Sequence, residues 1–149
     1  MDKDLQARQE ARDLAKAAHE AQLQLREFSQ EQLDAIVEAV AKAFSAAAVE
    51  LAELAVRETG FGKVEDKERK NKFASETLWE AVRNMKTVGV LKELPGEKLW
   101  EIGVPVGVIA AIVPSTNPTS TVCYKAIIAL KSGNAIVFSP HPKRIARSD

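Results

Sequence analysis

Residues 106–113, with the sequence VGVIAAIV, form an uninterrupted apolar run that is rich in β-branched residues. Such a run is typical of a strand that is buried on both faces of a parallel sheet. Pro114 ends the run, and the pair Asn117-Pro118 predicts a helix start, because Asn is a favoured N-cap and Pro is favoured at the first helical position. Gly133-Asn134 ends that helix, and a second apolar strand follows at residues 135–138. The order strand, helix, strand predicts a parallel βαβ unit with a right-handed crossover.

The residues upstream of this unit predict helices. Ser29 and Gln32 have the spacing of a capping box, and the apolar side chains of residues 33–54 recur at helical spacing. We therefore predict one long amphipathic helix that ends at Gly60. A further helix is predicted from about residue 64 to residue 88.

The composition changes near residue 93, and the predicted elements divide the sequence into three segments. Residues 1–93 are a predicted helical segment, residues 94–105 contain a short predicted strand around Trp100, and residues 106–149 contain the βαβ unit. Two or three strands are too few for a stable parallel sheet that is covered on both faces. The sequence thus predicts an α/β fold in which N-terminal helices precede an incomplete parallel sheet, and we expect other material to complete that sheet.

The composition argues against several classes of protein. Lys plus Arg and Asp plus Glu both number 21 among the 149 residues, and the resulting zero net charge argues against a nucleic-acid partner. The most apolar stretch, residues 102–124, contains three prolines and is a poor candidate for a membrane span. The charged N-terminus does not resemble a secretory signal. The single cysteine, Cys123, argues against a disulfide framework and a multi-cysteine zinc site, so we expect no metal and a cytoplasmic location.

Polar residues follow both strands of the predicted βαβ unit. The first strand leads into PSTNPTST at residues 114–121, and the second leads into Ser139-Pro140-His141. Ligands bind at the carboxyl edge of open α/β sheets, where a helix N-terminus also favours an anion or a developing oxyanion. The sequence lacks both the fingerprint GxGxxG after the first strand and a Walker A motif. The residues alone therefore predict a ligand site at two strand ends without identifying the ligand.

Three segments resemble the aldehyde dehydrogenase superfamily. They are ETGFGKVEDK followed by KNKFASE within residues 58–76, VPVGVIAAIVPSTNPTST at residues 104–121, and ALKSGNAIVFSPHP at residues 129–142. The combination of PSTNPTST with FSPHP is similar to the CoA-acylating branch, which includes acetaldehyde and propionaldehyde dehydrogenases and the aldehyde dehydrogenase half of bifunctional aldehyde-alcohol dehydrogenases. The resemblance covers about residues 17–143 and corresponds to the N-terminal part of such enzymes.

This resemblance implies a reaction and a fold. The enzymes oxidise a small aldehyde with NAD through a cysteine thiohemiacetal, and the acyl group of the resulting thioester then passes to CoA as co-substrate. The fold comprises a Rossmann-like NAD-binding domain, a catalytic domain and an oligomerisation arm, so a homo-oligomer is expected for the complete protein. The strand near Trp100 is a candidate for the arm, and residues 106–149 for the first βαβ of the NAD-binding domain. Both a free cytoplasmic enzyme and one packaged in a bacterial microcompartment remain open.

The resemblance also assigns site residues by position. A nicotinamide would lie beside the end of the first strand and the adenosine ribose beside the end of the second; the residues concerned are Ile112, Val113, Pro114, Ser115 and Thr116 for the first, and Ser139, Pro140 and His141 for the second. Ordinary members have a lysine at the position of Ser139, so the site is less charged here. Their oxyanion-stabilising asparagine falls at Thr116, whereas this sequence has Asn117 one residue later. We favour Asn117 as the catalytic residue and keep Thr116 as its rival.

Two other interpretations remain open. One is a non-catalytic remnant or interaction module of the same fold, and the other is a dehydrogenase for a semialdehyde or a longer aldehyde. Cys123 falls on the apolar side of the predicted helix, where a thiol acts as a small hydrophobic group. The family nucleophile would come after residue 149, so we expect the 149-residue chain alone to be inactive.

Overall fold

The computed structural model describes residues 2–141 and places helices before a small parallel sheet, which confirms the predicted α/β class. Within the described range, no helix is long and apolar enough to cross a membrane. The elements in chain order are α1 (Lys3–Leu25), α2 (Gln30–Ala46), α3 (Ala48–Thr59), α4 (Val64–Lys72), a π-helical turn (Phe73–Thr77), α5 (Leu78–Val82), β1 (Gly89–Leu94), β2 (Leu99–Gly103), β3 (Val108–Val113), α6 (Pro118–Lys131) and β4 (Ala135–Pro140).

The predicted βαβ unit is confirmed as β3, α6 and β4. The two strands are parallel neighbours, and their register runs from Val108 opposite Ala135 to Val113 opposite Pro140. The prediction that β3 is buried on both faces is wrong, because Val113 is 2% exposed whereas Ile112 is 74% exposed. Alternate side chains of a strand point to opposite faces, and the described residues cover only one face at this end of β3.

The predicted long helix is in fact two helices that meet at Ala47. Ala47 has φ −90° and ψ 7°, which separates α2 from α3. The apolar stripe continues past the break, with Ala48 and Ala52 both buried, and α3 packs against α4. The predicted N-terminal capping box is confirmed, since Ser29 N–H donates to Gln32 Oε1 (2.8 Å) and Gln32 N–H donates to Ser29 Oγ (3.3 Å).

The next predicted helix ends earlier than the sequence indicates. Its regular turns stop at Val82, after the π-helical turn, and residues 83–88 leave the helix. The backbone N–H groups of Thr87 and Val88 donate to Gln30 Oε1 on α2, at 2.8 Å and 3.2 Å. This side-chain acceptor replaces the carbonyl groups that would have continued the helix.

A β-hairpin connects the helical part to the βαβ unit. The strand predicted near Trp100 is present as β2, and it pairs antiparallel with β1, a strand that the sequence did not predict. Trp100 and Ile102 on β2 are both exposed. The hairpin therefore presents large apolar side chains on its surface.

The core lies between α2, α6 and the π-helical turn. Val37, Ala41, Ala74, Cys123 and Ile127 form its buried cluster. Every buried side-chain nitrogen or oxygen within residues 2–141 has a hydrogen-bond partner. This packing fixes the position of α6, whose N-terminus carries the polar loop discussed next.

Candidate functional site

A cleft of about 260 Å³ lies at the carboxyl ends of β3 and β4. The two strand ends are joined there by a hydrogen bond of 3.0 Å from His141 N–H to Val113 C=O. The cleft is lined by Leu54, Ala55, Glu58, Thr59, Val113, Pro114, Ser115, Pro118, Thr119, Pro140 and His141. The parallel register thus brings the residues after each strand into one depression, as expected for a ligand site in an open α/β sheet.

The structure brings five of the residues proposed for cofactor binding into this cleft, namely Val113, Pro114, Ser115, Pro140 and His141. Ile112 and Ser139 lie opposite each other in the strand register but do not line it. Both side chains are exposed. Their alternation with Val113 and Pro140 places them on the other face of the sheet.

The two candidate oxyanion residues lie in the loop that precedes α6. Thr116 is exposed and Asn117 is half-buried. The backbone of Asn117 begins the helix, because its C=O accepts the N–H of Thr121 at 3.2 Å. The predicted side-chain cap is absent. Asn117 Oδ1 instead accepts a hydrogen bond from Lys70 Nζ at 3.1 Å, so the lysine occupies the acceptor that would have capped the helix.

Three side chains of α4 contact this loop or the first turn of α6. Lys67 Nζ donates to Thr116 C=O at 2.8 Å, and Thr119 Oγ1 donates to Asn71 Oδ1 at 2.8 Å; Lys70 provides the third contact. Lys67 is only 5% exposed. Its burial, together with the positive charge of Lys70, lowers its pKa from the usual lysine value. The loop and the first turn of α6 are therefore held from one side by hydrogen bonds with a single helix.

A larger groove of about 570 Å³ also borders the start of α6. Its surface is mainly apolar, and the lining residues are Arg69, Lys70, Phe73, Ala74, Leu78, Ser120, Tyr124 and Ile128. Phe73 is 69% exposed, which is unusual for a large aromatic side chain beside a helix start. Ser120 of the polar segment 114–121 lines this groove, but none of the residues proposed for the cofactor or the oxyanion does.

Cys123 lies in the core and is fully buried. Its Sγ is 3.3 Å from the carbonyl oxygen of Ala74, and burial raises the pKa of the thiol to about 12. A nucleophilic cysteine needs a lowered pKa and access to solvent. The prediction that Cys123 packs as a small hydrophobic residue is confirmed. Among residues 2–141, no group of three or more His, Cys, Asp or Glu side chains could hold a metal ion.

The comparison with known families extends over almost the entire chain. The model of the aldehyde dehydrogenase family matches residues 3–146. The chain belongs to the aldehyde dehydrogenase family. The resemblance found in the sequence is thereby confirmed.

The relatives of this aldehyde dehydrogenase chain include acylating enzymes. The bifunctional aldehyde-alcohol dehydrogenase AdhE of Escherichia coli (strain K12) is 48% identical over 130 residues, which are 87% of this chain and 15% of that protein. Two crystal structures are also similar, and in each case the match covers 95% of this chain and 31% of the crystallised chain. They are a probable aldehyde dehydrogenase from Listeria monocytogenes (51% identity, TM-score 0.93) and an acetylating aldehyde dehydrogenase from Geobacillus thermoglucosidasius (50% identity, TM-score 0.92). The chain thus spans less than a third of each of these relatives.

Two helices contribute to the site of this aldehyde dehydrogenase chain although the sequence predicted only that these residues are helical. The C-terminal end of α3 provides one wall of the cleft, including Leu54 and Glu58. Helix α4 provides the contacts to the loop before α6. The sequence indicated the importance of this region only through the family resemblance of residues 58–76, which does not show what these residues contact.

Proposed function

We propose that this chain is the N-terminal part of a CoA-acylating aldehyde dehydrogenase, which converts an aldehyde, NAD and CoA to acyl-CoA and NADH. The observation that carries the proposal is the cleft where β3 and β4 end beside the polar loop of residues 114–117. The similarity to an acetylating aldehyde dehydrogenase along 95% of the chain supports the same conclusion. In this proposal β3, α6 and β4 begin a Rossmann-like NAD-binding domain.

The cleft fits one part of a dinucleotide. Its volume of about 260 Å³ is slightly below the roughly 300–1,000 Å³ that is typical of complete ligand pockets. Val113, Pro114 and Pro118 offer apolar surface for a flat ring, and Glu58 offers carboxylate oxygens for ribose hydroxyls, which acidic residues bind in dinucleotide sites. When bound, NAD supplies the hydride acceptor. We propose that Ser115 and His141 also contact the cofactor, while Ile112 and Ser139 contribute through the backbone of their strands.

Asn117 is our candidate for the residue that stabilises the oxyanion. Its Nδ2 has one contact within the described chain, with Thr116 Oγ1 at 3.5 Å, which is at the limit for a hydrogen bond. The amide N–H groups are therefore available to a substrate oxygen. Thr116 is the rival, since its hydroxyl is exposed in the same loop.

The apolar groove suits the carbon chain of the aldehyde. Pro118 and Thr119 border the cleft, whereas Ser120 and Tyr124 border the groove. A substrate in the groove and a nicotinamide in the cleft would therefore approach the start of α6 from two cavities. The side chains of Phe73, Tyr124 and Ile128 would then influence which aldehydes are accepted, including semialdehydes and longer aldehydes.

The nucleophile must be a thiolate that these 149 residues do not supply. Cys123 is the single cysteine of the chain, and it is buried with a raised pKa. We therefore propose that the 149-residue chain alone forms no NADH from aldehyde.

The exposed hairpin of β1 and β2 is our candidate for the oligomerisation arm of a homo-oligomer. It carries Leu99, Trp100 and Ile102, each at least 50% exposed. Aromatic residues are common at interfaces between subunits. For the location, we propose the cytoplasm, either free or within a bacterial microcompartment.

The test uses the natural polypeptide that contains these residues. With acetaldehyde, NAD and CoA, we expect formation of NADH and acetyl-CoA, and a panel of longer aldehydes and semialdehydes would rank the substrates. Asn117→Ala should lower the turnover number ~100- to 1,000-fold with little change in NAD affinity. If Thr116→Ala shows that loss and Asn117→Ala does not, the rival is correct. A polypeptide that binds nucleotide or partners but oxidises no aldehyde would support a non-catalytic module instead.

A further inference from the structure

The α4 contacts involve residues to which the proposed reaction gives no role. Lys67, Lys70 and Asn71 have the spacing i, i+3, i+4, which places them on one face of the helix. Each of them contacts a different residue of the segment that begins α6, namely Thr116, Asn117 and Thr119. We refer to Lys67, Lys70 and Asn71 as the α4 clamp.

The contact from Lys70 determines which edge of the Asn117 amide is available. A lysine ammonium group only donates hydrogen bonds, so Oδ1 and not Nδ2 must face it. The Oδ1–Nζ distance is 3.1 Å. Since the two ends of the amide lie on opposite edges, the Nδ2 donors are directed away from Lys70. An oxyanion requires donors, and the Lys70 contact therefore presents the useful edge of the amide.

The contact from Lys67 likewise directs a donor away from α4, but this donor is a backbone N–H group. Its Nζ is 2.8 Å from the carbonyl oxygen of Thr116. In a trans peptide, the C=O of one residue and the N–H of the next point in opposite directions, so the N–H of Asn117 points away from α4. The third contact is itself anchored, because Asn71 is 2% exposed and its Nδ2 donates to Ala48 C=O at 3.0 Å.

The charges of the clamp are not needed to hold the loop. Within residues 2–141, no carboxylate forms an ion pair with Lys67 or Lys70. Lys67 is buried without a counter-ion, which is unfavourable, whereas Lys70 is exposed. A neutral glutamine or asparagine could donate the same hydrogen bonds. Two positive charges beside one loop do, however, favour negative charge that develops there during a reaction.

We propose that Lys67 and Lys70 are positioning residues of aldehyde oxidation, which act through Asn117 by presenting its amide and backbone N–H groups to the oxyanion. This inference rests on the proposed function, because it assumes that Asn117 contacts the reacting oxygen. Lys70 also borders the groove assigned to the carbon chain of the aldehyde, but the role proposed for it is its contact with Asn117. Asn71 holds the start of α6 at the distance at which both contacts form.

The test compares variants of the natural polypeptide. Lys70→Met should lower the turnover number for aldehyde about tenfold or more, with the KM for NAD and the melting temperature unchanged. Lys70→Arg, which retains the charge and the donors, should restore most of the turnover. The matched control is Lys72→Met on the same helix, because Lys72 is exposed and pairs with Glu68. Equal turnover in Lys70→Met and Lys72→Met would overturn the proposal.

A double-mutant cycle distinguishes the role of Lys70 from the role of Asn117. In an Asn117→Ala background, Lys70→Met should cause little further loss of turnover, because the two residues act in series. Independent losses that multiply would overturn the proposal while leaving the proposed function intact. Wild-type turnover in Asn117→Ala would contradict both the role of Asn117 and the inference that depends on it.

Crystal structures provide a readout that does not depend on activity. In Lys70→Met we expect the Asn117 side chain to rotate away from its wild-type direction or to occupy several rotamers. An unchanged Asn117 side chain in that variant would show that Lys70 does not position it. Lys67→Met is a less direct test, because Lys67 is buried and its removal also affects packing.

Discussion

Lys131 Nζ lies 2.6 Å from Asp34 Oδ1 and joins the last turn of α6 to α2. Lys131 is 3% exposed, and its ammonium group also donates to Arg83 C=O at 3.1 Å and lies 5.8 Å from the ring centroid of Trp79. The ion pair therefore fixes one end of the helix whose other end carries Asn117. Stability of the helical layer and geometry of the site are linked through α6.

Removing the carboxylate of this pair should destabilise the chain more than removing the lysine. Asp34→Ala leaves a buried cation without its carboxylate. Because Asp34 itself is partly exposed, we expect a loss of about 2 kcal/mol in the free energy of unfolding, below the ~3–5 kcal/mol of a fully buried pair. Lys131→Met removes the buried charge and retains most of the volume, so its loss should be smaller. Urea unfolding measures both. Glu38→Ala is the control, because its exposed pair with Lys42 should contribute less than about 1 kcal/mol. An equal loss in Asp34→Ala and Glu38→Ala would contradict this prediction.

Gly103 should not tolerate alanine, whereas Gly96, which lies between β1 and β2, should. A Cβ at Gly103 would overlap the carbonyl oxygen of Thr87 and lie 3.1 Å from Leu91 Cδ2, whereas a Cβ at Gly96 would meet nothing. Thr87 is fixed by its hydrogen bonds to Gln30. We expect Gly103→Ala to cost about 1–3 kcal/mol, and Gly96→Ala to leave the unfolding midpoint nearly unchanged. Similar midpoints for the two variants would show that residues 87–88 can move.

Cys123 should resist alkylation until the chain unfolds. The folded-state pKa of about 12 exceeds the ordinary value of 9.0, so at pH 9 the folded thiol is ionised roughly 500-fold less than an unperturbed one at the same pH. Because the folded pKa is raised, its contribution to stability is complete below pH 9 and is lost as the pH rises towards 12. Iodoacetamide labelling followed by peptide mass spectrometry, with and without urea, measures the protection. Rapid labelling of folded protein at pH 8 would contradict the burial of this side chain.

A large side chain at Leu54 should interfere with the cofactor and not with the fold. Leu54 lines the cleft and is 36% exposed, so a tryptophan there can extend into the space that we assign to part of the dinucleotide. We expect Leu54→Trp to raise the KM for NAD about tenfold in the natural polypeptide, which corresponds to ~1.4 kcal/mol. Val49→Trp, on the exposed surface of the same helix, is the matched control. An unchanged KM in Leu54→Trp would place the cofactor elsewhere.

The βαβ unit could be predicted because single residues at its boundaries determine where each strand and the helix begin or end. Pro114 cannot continue a strand ladder, Pro118 suits the first turn of a helix, and Gly133 has the positive φ of 70° that a residue with a side chain rarely adopts. Each of these residues sets a boundary through its own backbone conformation, which does not depend on distant contacts. The cleft at the two strand ends then follows from the topology.

The remainder depends on partners that are distant in sequence. The break at Ala47 lies within an alanine-rich run that favours helix on both sides, and only packing distinguishes its two halves. Strand β1 has no strong strand pattern and forms by pairing with β2. The contacts of Lys67 and Lys70 span 49 and 47 residues. Periodicity within a segment carries no information about such contacts.

Because α3 begins at the break at Ala47, the number of residues between Ala48 and Leu54 determines which side chains of α3 face the cleft. Helix α3 advances by 100° per residue, so a single insertion between Ala48 and Leu54 would turn the following residues by more than a quarter of a circle. Leu54 and Glu58 would then face away from the cleft, although every residue type and most of the helix would be preserved. Within α3, functional members of the family should therefore vary in sequence and not in residue count.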